Sequence, residues 1–169
     1  LSGQDFRKFM RGELAALPGV KASMKDWADH LTTAFPEVRL KQYLEMRGAD
    51  AAQWNQLCAL PAYWVGLLYD DVALDAAWDL VRDFSKAERH ALRDGVPKHA
   101  LDLMFRGHKL RELALESLKI ADHGLKRRNK QGNRGVDESG YLEPLLEIGL
   151  SGKTQADVKL EKFHGEWKG

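Results

Sequence analysis

The chain carries almost no excess of charge of either sign. Its 26 Lys and Arg stand against 25 Asp and Glu, so no net field points to nucleic acid, a membrane surface or a strongly acidic ligand. Cysteine is nearly absent too. The single Cys58 cannot form an internal bridge, and the start of the chain shows no basic stretch followed by an apolar segment; a cytoplasmic, reduced setting is the expectation. No apolar run reaches the roughly 18 residues a spanning helix needs. The closest, Leu57 to Tyr69, is interrupted by Pro61 and Gly66, and no membrane association is expected. A Gly-rich phosphate loop, an internal repeat and a low-complexity tract are all missing. What is present is ordinary globular material, 44% hydrophobic and 30% charged over 169 residues. A single domain with a sizeable core is the default for that length. The chain starts at Leu1 without a methionine and enters a patterned segment at once, which suggests a fragment or one product of a longer chain.

Local patterns predict mostly helix. Phe6, Phe9, Met10 and Leu14 recur at helical spacing within residues 3–17, with Pro18-Gly19 as the stop. Ser23 with Asp26 three residues on is a capping pair, and Trp27, Leu31 and Phe35 then share a face up to Pro36. From Val38 to Arg47 the period changes to two. Val38, Leu40, Leu44 and Met46 point one way and Arg39, Lys41, Tyr43, Glu45 and Arg47 the other, a strand with one polar face. Gln42 interrupts the apolar side.

Further on, Asp50 with Gln53 starts a helical region apolar on all sides to Tyr69, in which Pro61 must kink the helix or begin a second one. Asp71 opens a helix carrying Leu74, Trp78 and Val81; Ser85 with Glu88 caps the next, with Gly95 and Pro97 as its stop. A longer amphipathic helix spans Lys109 to Arg128 along Leu110, Leu113, Leu118, Ala121 and Leu125, with basic residues at its negative end. Asn129 to Asp137, with Gly132 and Gly135, is a loop. Short helices follow around Tyr141 to Leu150 and after Thr154, which stands three residues before Asp157.

Two stretches carry a specific resemblance. The block His30-Leu31-Thr32-Thr33-Ala34-Phe35-Pro36-Glu37-Val38-Arg39-Leu40-Lys41, continuing through Tyr43-Leu44-Glu45-Met46-Arg47-Gly48-Ala49-Asp50, is similar to the signature of plant and proteobacterial glutamate–cysteine ligases. The likeness extends through Trp54 and Leu57 to Asp70, and returns at His164-Gly165-Glu166-Trp167. Glu45-x-Arg47-x-x-Asp50 also resembles a strand end of the wider glutamine-synthetase-like superfamily. The resemblance implies an α+β fold: a mostly helical piece contributing one or two strands to an antiparallel active-site sheet, and forming the C-terminal portion (1–169) of the catalytic domain. It implies ATP-dependent joining of the glutamate γ-carboxylate to the cysteine amine, with Mg2+ and ATP, and with the N-terminal part of the same enzyme as partner.

Within that frame Glu45 is the expected Mg2+ ligand, and Arg47 the residue that meets the phosphoryl group or substrate carboxylate. Residues i and i+2 of a strand share a face, so a carboxylate and a guanidinium there can hold a cation and an anion side by side. Read without the resemblance, Glu45 and Arg47 are a solvated strand face pairing with charges across the sheet, and the chain is a non-catalytic helical scaffold or assembly module. One departure stands out. Plant members carry a regulatory cysteine just before the Leu-Pro-Gly that is here Leu17-Pro18-Gly19, and this chain has Ala16 there, so that disulfide switch is not expected.

The remaining candidates favour structural roles. His30 has no second His or Cys at a ligand interval. Cys58 in an apolar segment is a small core residue, with nothing near it to stabilise a thiolate. Trp27, Trp54, Trp64 and Trp78 lie on apolar faces and belong in the core, while Trp167 has no assigned place. The basic cluster Lys126 to Lys130 with Arg134 is a solvated helix end.

Overall fold

A computed structural model describes residues 3–131, 135 and 137–168; Leu1, Gly132 and Arg134 lie outside the described residues. The chain divides into two compact units, Leu1–Ala51 and Ala52–Gly169.

In the first unit α1 covers only Phe6–Arg11, where residues 3–17 were expected. Asp5 caps it by accepting from the Arg7 N–H at 2.9 Å, and Gly12 closes it in the left-handed conformation. The chain then folds back, the Gly19 N–H donating to the Gly12 carbonyl at 2.9 Å. Helix α2, Met24–Thr32, begins with the expected Ser23/Asp26 capping box. Phe6 and His30 stack at 4.2 Å between ring centroids, and Trp27 leans on Phe6 at 5.5 Å, which joins α1 to α2.

The expected single strand is instead a hairpin of β1 (Val38–Leu40) and β2 (Leu44–Met46). The register pairs Val38 with Met46, Arg39 with Glu45 and Leu40 with Leu44, and the Lys41 N–H donates to the Tyr43 carbonyl at 2.9 Å. Partners across this turn share number parity. The alternation of polar and apolar residues therefore runs through the bend unbroken, and period alone cannot separate one long strand from two short ones. Gln42 sits at the tip of the turn, which removes the anomaly of a polar residue on the apolar side.

The second unit is built around α3 (Ala59–Leu68), α4 (Asp71–Val81) and α6 (Leu110–Arg128). A short 3-10 turn, Trp54–Gln56, precedes α3. Pro61 falls in the first turn of α3, where its missing N–H leaves no helical hydrogen bond unmade. Asp70 caps α4, accepting from the Ala73 N–H at 2.9 Å. Helix α5, Lys86–His99, has the predicted Ser85/Glu88 box but continues through Gly95 and Pro97. Pro97 lies in its final turn, and Gly95 leaves room for Leu103, whose Cδ1 would stand 2.7 Å from a Cβ there. Two more strands, β3 (Met104–Phe105) and β4 (His108–Lys109), form a tight hairpin unforeseen in the sequence. Both turn residues have positive φ, 50° at Arg106 and 83° at Gly107, the twist that a two-residue hairpin favours. A 3-10 turn at Glu138–Leu142 leads to α7 (Glu143–Ser151), and α8 (Gln155–His164) closes the unit behind the Thr154/Asp157 box.

The core forms where α3 crosses α6. A Cβ on Gly66 would overlap the backbone of Ala121, and one on Gly124 would overlap the Gly66 carbonyl and stand 2.9 Å from the Ala73 Cβ. Ala73 and Ala121 are fully buried at the same crossing. Around it pack Ala62, Leu67, Leu118, Leu125 and Leu142, with Trp64 against them. The other tryptophans depart from expectation: Trp54 is 89% and Trp78 60% exposed, and Trp27 is exposed as well. Leu74, Trp78 and Val81 do share one line along α4, but that line is open. Helical spacing tells which residues share a face, and nothing about whether the same stretch of chain supplies its cover.

The α5 cap is tied to the β3–β4 hairpin through Arg106. Its Nε donates to Glu88 Oε1 at 2.6 Å, and its Nη1 to Asp83 at 2.9 and 3.0 Å. The guanidinium lies 4.8 Å from the Phe84 ring centroid and 5.5 Å from that of Phe105. The Arg106 hydrogen bonds, helped by the Ser85 N–H and hydroxyl, bring the Glu88 carboxyl down from 4.5 to about 2.

Two outcomes are expected. Gly66→Ala or Gly124→Ala will lower stability toward or beyond the upper end of the about 1–3 kcal/mol typical of overpacking, because backbone rather than a mobile side chain stands in the way; urea unfolding of either variant measures this. Glu88 is bound more tightly as the anion in the folded state, so its contribution is complete above its unfolded pKa near 4.5 and is lost as pH falls toward about 2. The stability difference between parent and Glu88→Gln, followed by denaturant midpoints, should therefore be flat at neutral pH and shrink across that window.

Candidate active site

The hairpin of the first unit gathers four charges on one face. Glu45 is half-buried and accepts from Arg39 across the register, Nε and Nη2 each standing 2.7 Å from Oε2. Lys41 Nζ approaches the same oxygen at 3.7 Å. These contacts all fall on Oε2. The Arg39 hydrogen bond, reinforced by the charges of Arg39, Lys41 and Arg47 and opposed by partial burial, holds the Glu45 carboxyl below its usual value. Glu45 is ionised at neutral pH. The cross-sheet pairing expected of a plain strand face is thus present, and it does not occupy the whole carboxylate.

Arg47 follows at the exit of β2. Its N–H donates to the Glu37 carbonyl at 2.8 Å, extending the ladder by one rung. Its guanidinium lies 5.0 Å from the Phe35 ring centroid, and Nη1 is buried without a hydrogen-bond partner. A buried guanidinium nitrogen with no acceptor is costly and rare. An anion delivered to that nitrogen would satisfy it, with the ring holding the fork flat.

As a metal centre the hairpin is incomplete. No group of three or more His, Cys, Asp or Glu side chains that could hold a metal ion occurs among the described residues. Glu45 suits Mg2+ chemically as one hard oxygen ligand of a set completed by other groups. The sequence placed Glu45 and Arg47 together, and the structure agrees; it missed Arg39 and Phe35 as their immediate partners. The parity of residues 39 and 45 was the available signal for Arg39, once a turn at Lys41 to Tyr43 is recognised.

The other candidates divide. The basic end of α6 is bound internally rather than simply solvated: Lys126 pairs with Asp122 at 2.8 Å, Arg127 with Asp70 at 2.6 Å, and Arg128 faces Glu138 at 3.5 Å and the Tyr69 ring at 5.3 Å. Cys58, expected in the core, is exposed. It precedes the first turn of α3 and lies at the edge of a pocket of about 300 Å3 with Leu57, Pro61, Val65 and Leu125, because the chain turns into α3 one residue later. Trp167 is exposed in the tail. No single helix among the described residues is long and apolar enough to cross a membrane.

The ionised Glu45 carboxylate and the unpartnered Arg47 Nη1 thus lie on one hairpin. The sequence profile of the Glutamate-cysteine ligase family 2 (GCS2) matches residues 2–169; the chain belongs to that family. It is 50% identical to the chloroplastic glutamate–cysteine ligase of Arabidopsis thaliana and 46% identical to that of Nicotiana tabacum, over 98% of the chain in each case. The enzyme of Brassica juncea is 48% identical. The chain spans only 31% of the length of each of these relatives. Their chloroplastic designation overturns the cytoplasmic expectation. A lone cysteine bears on redox chemistry and not on compartment, and a segment that covers 31% of its relatives says nothing of their address.

With Cys58 at the surface, Cys58→Ser should change stability by no more than about 0.5 kcal/mol, the range of surface substitutions. A thiol reagent should label the parent in the folded state at a rate close to that of the unfolded chain; a rate slower by orders of magnitude would restore the core assignment.

Proposed function

We propose that the chain is the C-terminal portion of an ATP-dependent glutamate–cysteine ligase and that its hairpin supplies Glu45 and Arg47 to the active site. The observation that carries this reading is the buried, unpartnered Nη1 of Arg47 on the same strand face as the ionised Glu45. The family description and the names of the relatives support glutamate and cysteine as the substrate class, and ATP is the co-substrate we infer for their joining. In the reaction the glutamate γ-carboxylate takes the terminal phosphoryl group of ATP, the cysteine amine attacks the resulting acyl phosphate, and phosphate leaves. Mg2+, when bound, would neutralise phosphate charge. Glu45 would offer Oε1 toward that cation. Arg47 would hold the transferring phosphoryl group or the substrate carboxylate by its planar fork, while Phe35 keeps the guanidinium in plane.

The hairpin itself supports a place in a larger sheet. The Lys41–Tyr43 and Arg47–Glu37 bonds fix the odd-numbered pairs as the hydrogen-bonded ones, so the backbone groups of Val38, Leu40, Leu44 and Met46 point outward along both edges. Val38, Leu40 and Leu44 are also exposed on the apolar face. Two strands alone are marginal in water. Further strands from the rest of the enzyme, its N-terminal part, would pair those edges in the glutamine-synthetase-like sheet and complete the ligand set. The open Leu74, Trp78, Val81 line of α4 favours a scaffold role for the helical unit within the same enzyme. The compartment we infer from the relatives is the plastid.

The isolated chain should show no ligase activity, since one hairpin supplies too few carboxylates for the site. In the full-length ligase, Arg47→Lys keeps the charge and loses the fork, and kcat should fall by about 10²–10³, the effect of removing one preorganised contact to developing charge. Glu45→Gln should shift the Mg2+ activation curve to higher concentration. Near-parental turnover in the first and an unshifted curve in the second would sink the assignment.

A further inference from the structure

Helix α4 carries three rows of side chains with three different characters. Ala73 is fully buried beside Gly124 of α6, and Ala77 packs on the core next to it. At about 100° per residue, Leu74, Trp78 and Val81 follow roughly a quarter turn round the helix. They are 42%, 60% and 38% exposed. Asp71, Asp75 and Asp79 make the third row, about another quarter turn on. Within its bounds α4 holds no lysine or arginine. Arg82, at its C-cap, pairs with Asp79 at 3.2 Å, while Asp71 and Asp75 have no ion pair among the described residues. The second unit thus presents an apolar ridge with an acidic margin along one side and the packed core along the other. A run of large apolar side chains left open in this way marks an interaction surface.

We propose that this ridge seats a basic amphipathic helix from the part of the ligase that lies outside this chain. The proposal rests on the reading of the chain as one portion of a longer ligase, and it is independent of the roles given to Glu45 and Arg47. Because the chain spans 31% of the length of its relatives, most of such an enzyme lies beyond it. The shape of the seat asks for a helix: a row spaced four and three residues apart is a ridge that enters the groove between two rows of a second helix, with Trp78 as its large anchor. The charge of the seat asks for a basic one. Lysine or arginine beside that groove would lay its aliphatic stem along the ridge and its charge against Asp71 and Asp75. A second copy meeting this face through its own α4 brings three more aspartates and no base, and like charges brought together at an interface select against that partner.

The test uses the full-length ligase and reads cover at the ridge, residue by residue. Leu74→Cys, or Val81→Cys where the first does not fold, is labelled with a thiol reagent and the rate followed on its own peptide by mass spectrometry. Labelling should be about 100-fold or more slower than in the unfolded chain, at every protein concentration. A rate close to the unfolded one shows a bare ridge and overturns the proposal. Adding Asp71→Lys and Asp75→Lys should speed labelling by about 10-fold or more, because like charges now meet, and Asp71→Asn with Asp75→Asn should speed it less. Equal rates in the two pairs overturn the basic character of the occupant. A photoreactive benzoylphenylalanine in place of Trp78 then identifies what lies on the ridge. Cross-links to a segment outside this chain with lysine or arginine at helical spacing support the proposal. Cross-links between two copies, to residues 1–51 or to a segment without basic residues overturn it, as does the absence of any cross-link. Turnover of Arg47→Lys reads the active-site assignment separately, so either reading can fail while the other stands.

Discussion

The backbones of α3 and α6 touch at Gly66 and Gly124, and the helical unit is arranged around that contact. Neither position has room for a Cβ, so the two helices approach more closely than side chains normally allow. Ala73 and Ala121 extend the contact with the smallest side chains that can follow it. Once the axes are this close, Leu118 and Leu125 on α6 reach Ala62 and Leu67 on α3, and Leu142 fills the end of the same cluster. Asp70, the cap of α4, meets Arg127 from the last turn of α6. The helix that starts beside the crossing is therefore tied to the helix that ends beside it.

The hairpin of the first unit works by different physics. Beyond its backbone ladder, its side-chain contacts are mainly between charges: Glu45 lies among Arg39, Lys41 and Arg47, an excess of positive charge in one small area. Val38, Leu40 and Leu44 are exposed, while Met46 is partly covered. Leu40 is 79% exposed and its cross-strand partner Leu44 is exposed as well. A sheet of this size with a bare apolar face makes physical sense as part of a larger one, in keeping with a chain that spans 31% of its relatives.

Much was legible because it is local. Helix starts at Ser23, Ser85 and Thr154 were readable since a capping box is an exchange of hydrogen bonds between residues three apart. The length of α6 followed from a stripe repeated over five turns. The pair Glu45 and Arg47 was legible from the resemblance and from the two-residue period. Less legible were features that join distant residues. Arg106 gathers Asp83 and Glu88 across a turn that carries no apolar period, and Arg111 caps the end of α7 through the Gly149 carbonyl at 2.6 Å.

By itself the sequence determined the capping boxes at Ser23, Ser85 and Thr154, the alternation from Val38 to Arg47 and the family, because each depends on neighbours in the chain or on a long linear match. Tertiary structure alone decided that the alternation bends into a hairpin, that Cys58, Trp54 and Trp78 stand outside, and that Arg39 faces Glu45. Burial is a property of what covers a residue, and a linear pattern is silent on cover. A turn that preserves parity is likewise invisible to period. The Arg47 Nη1 left without a partner beside Phe35 belongs to the same class: a guanidinium nitrogen is left unpaired only once the fold has placed every other acceptor elsewhere.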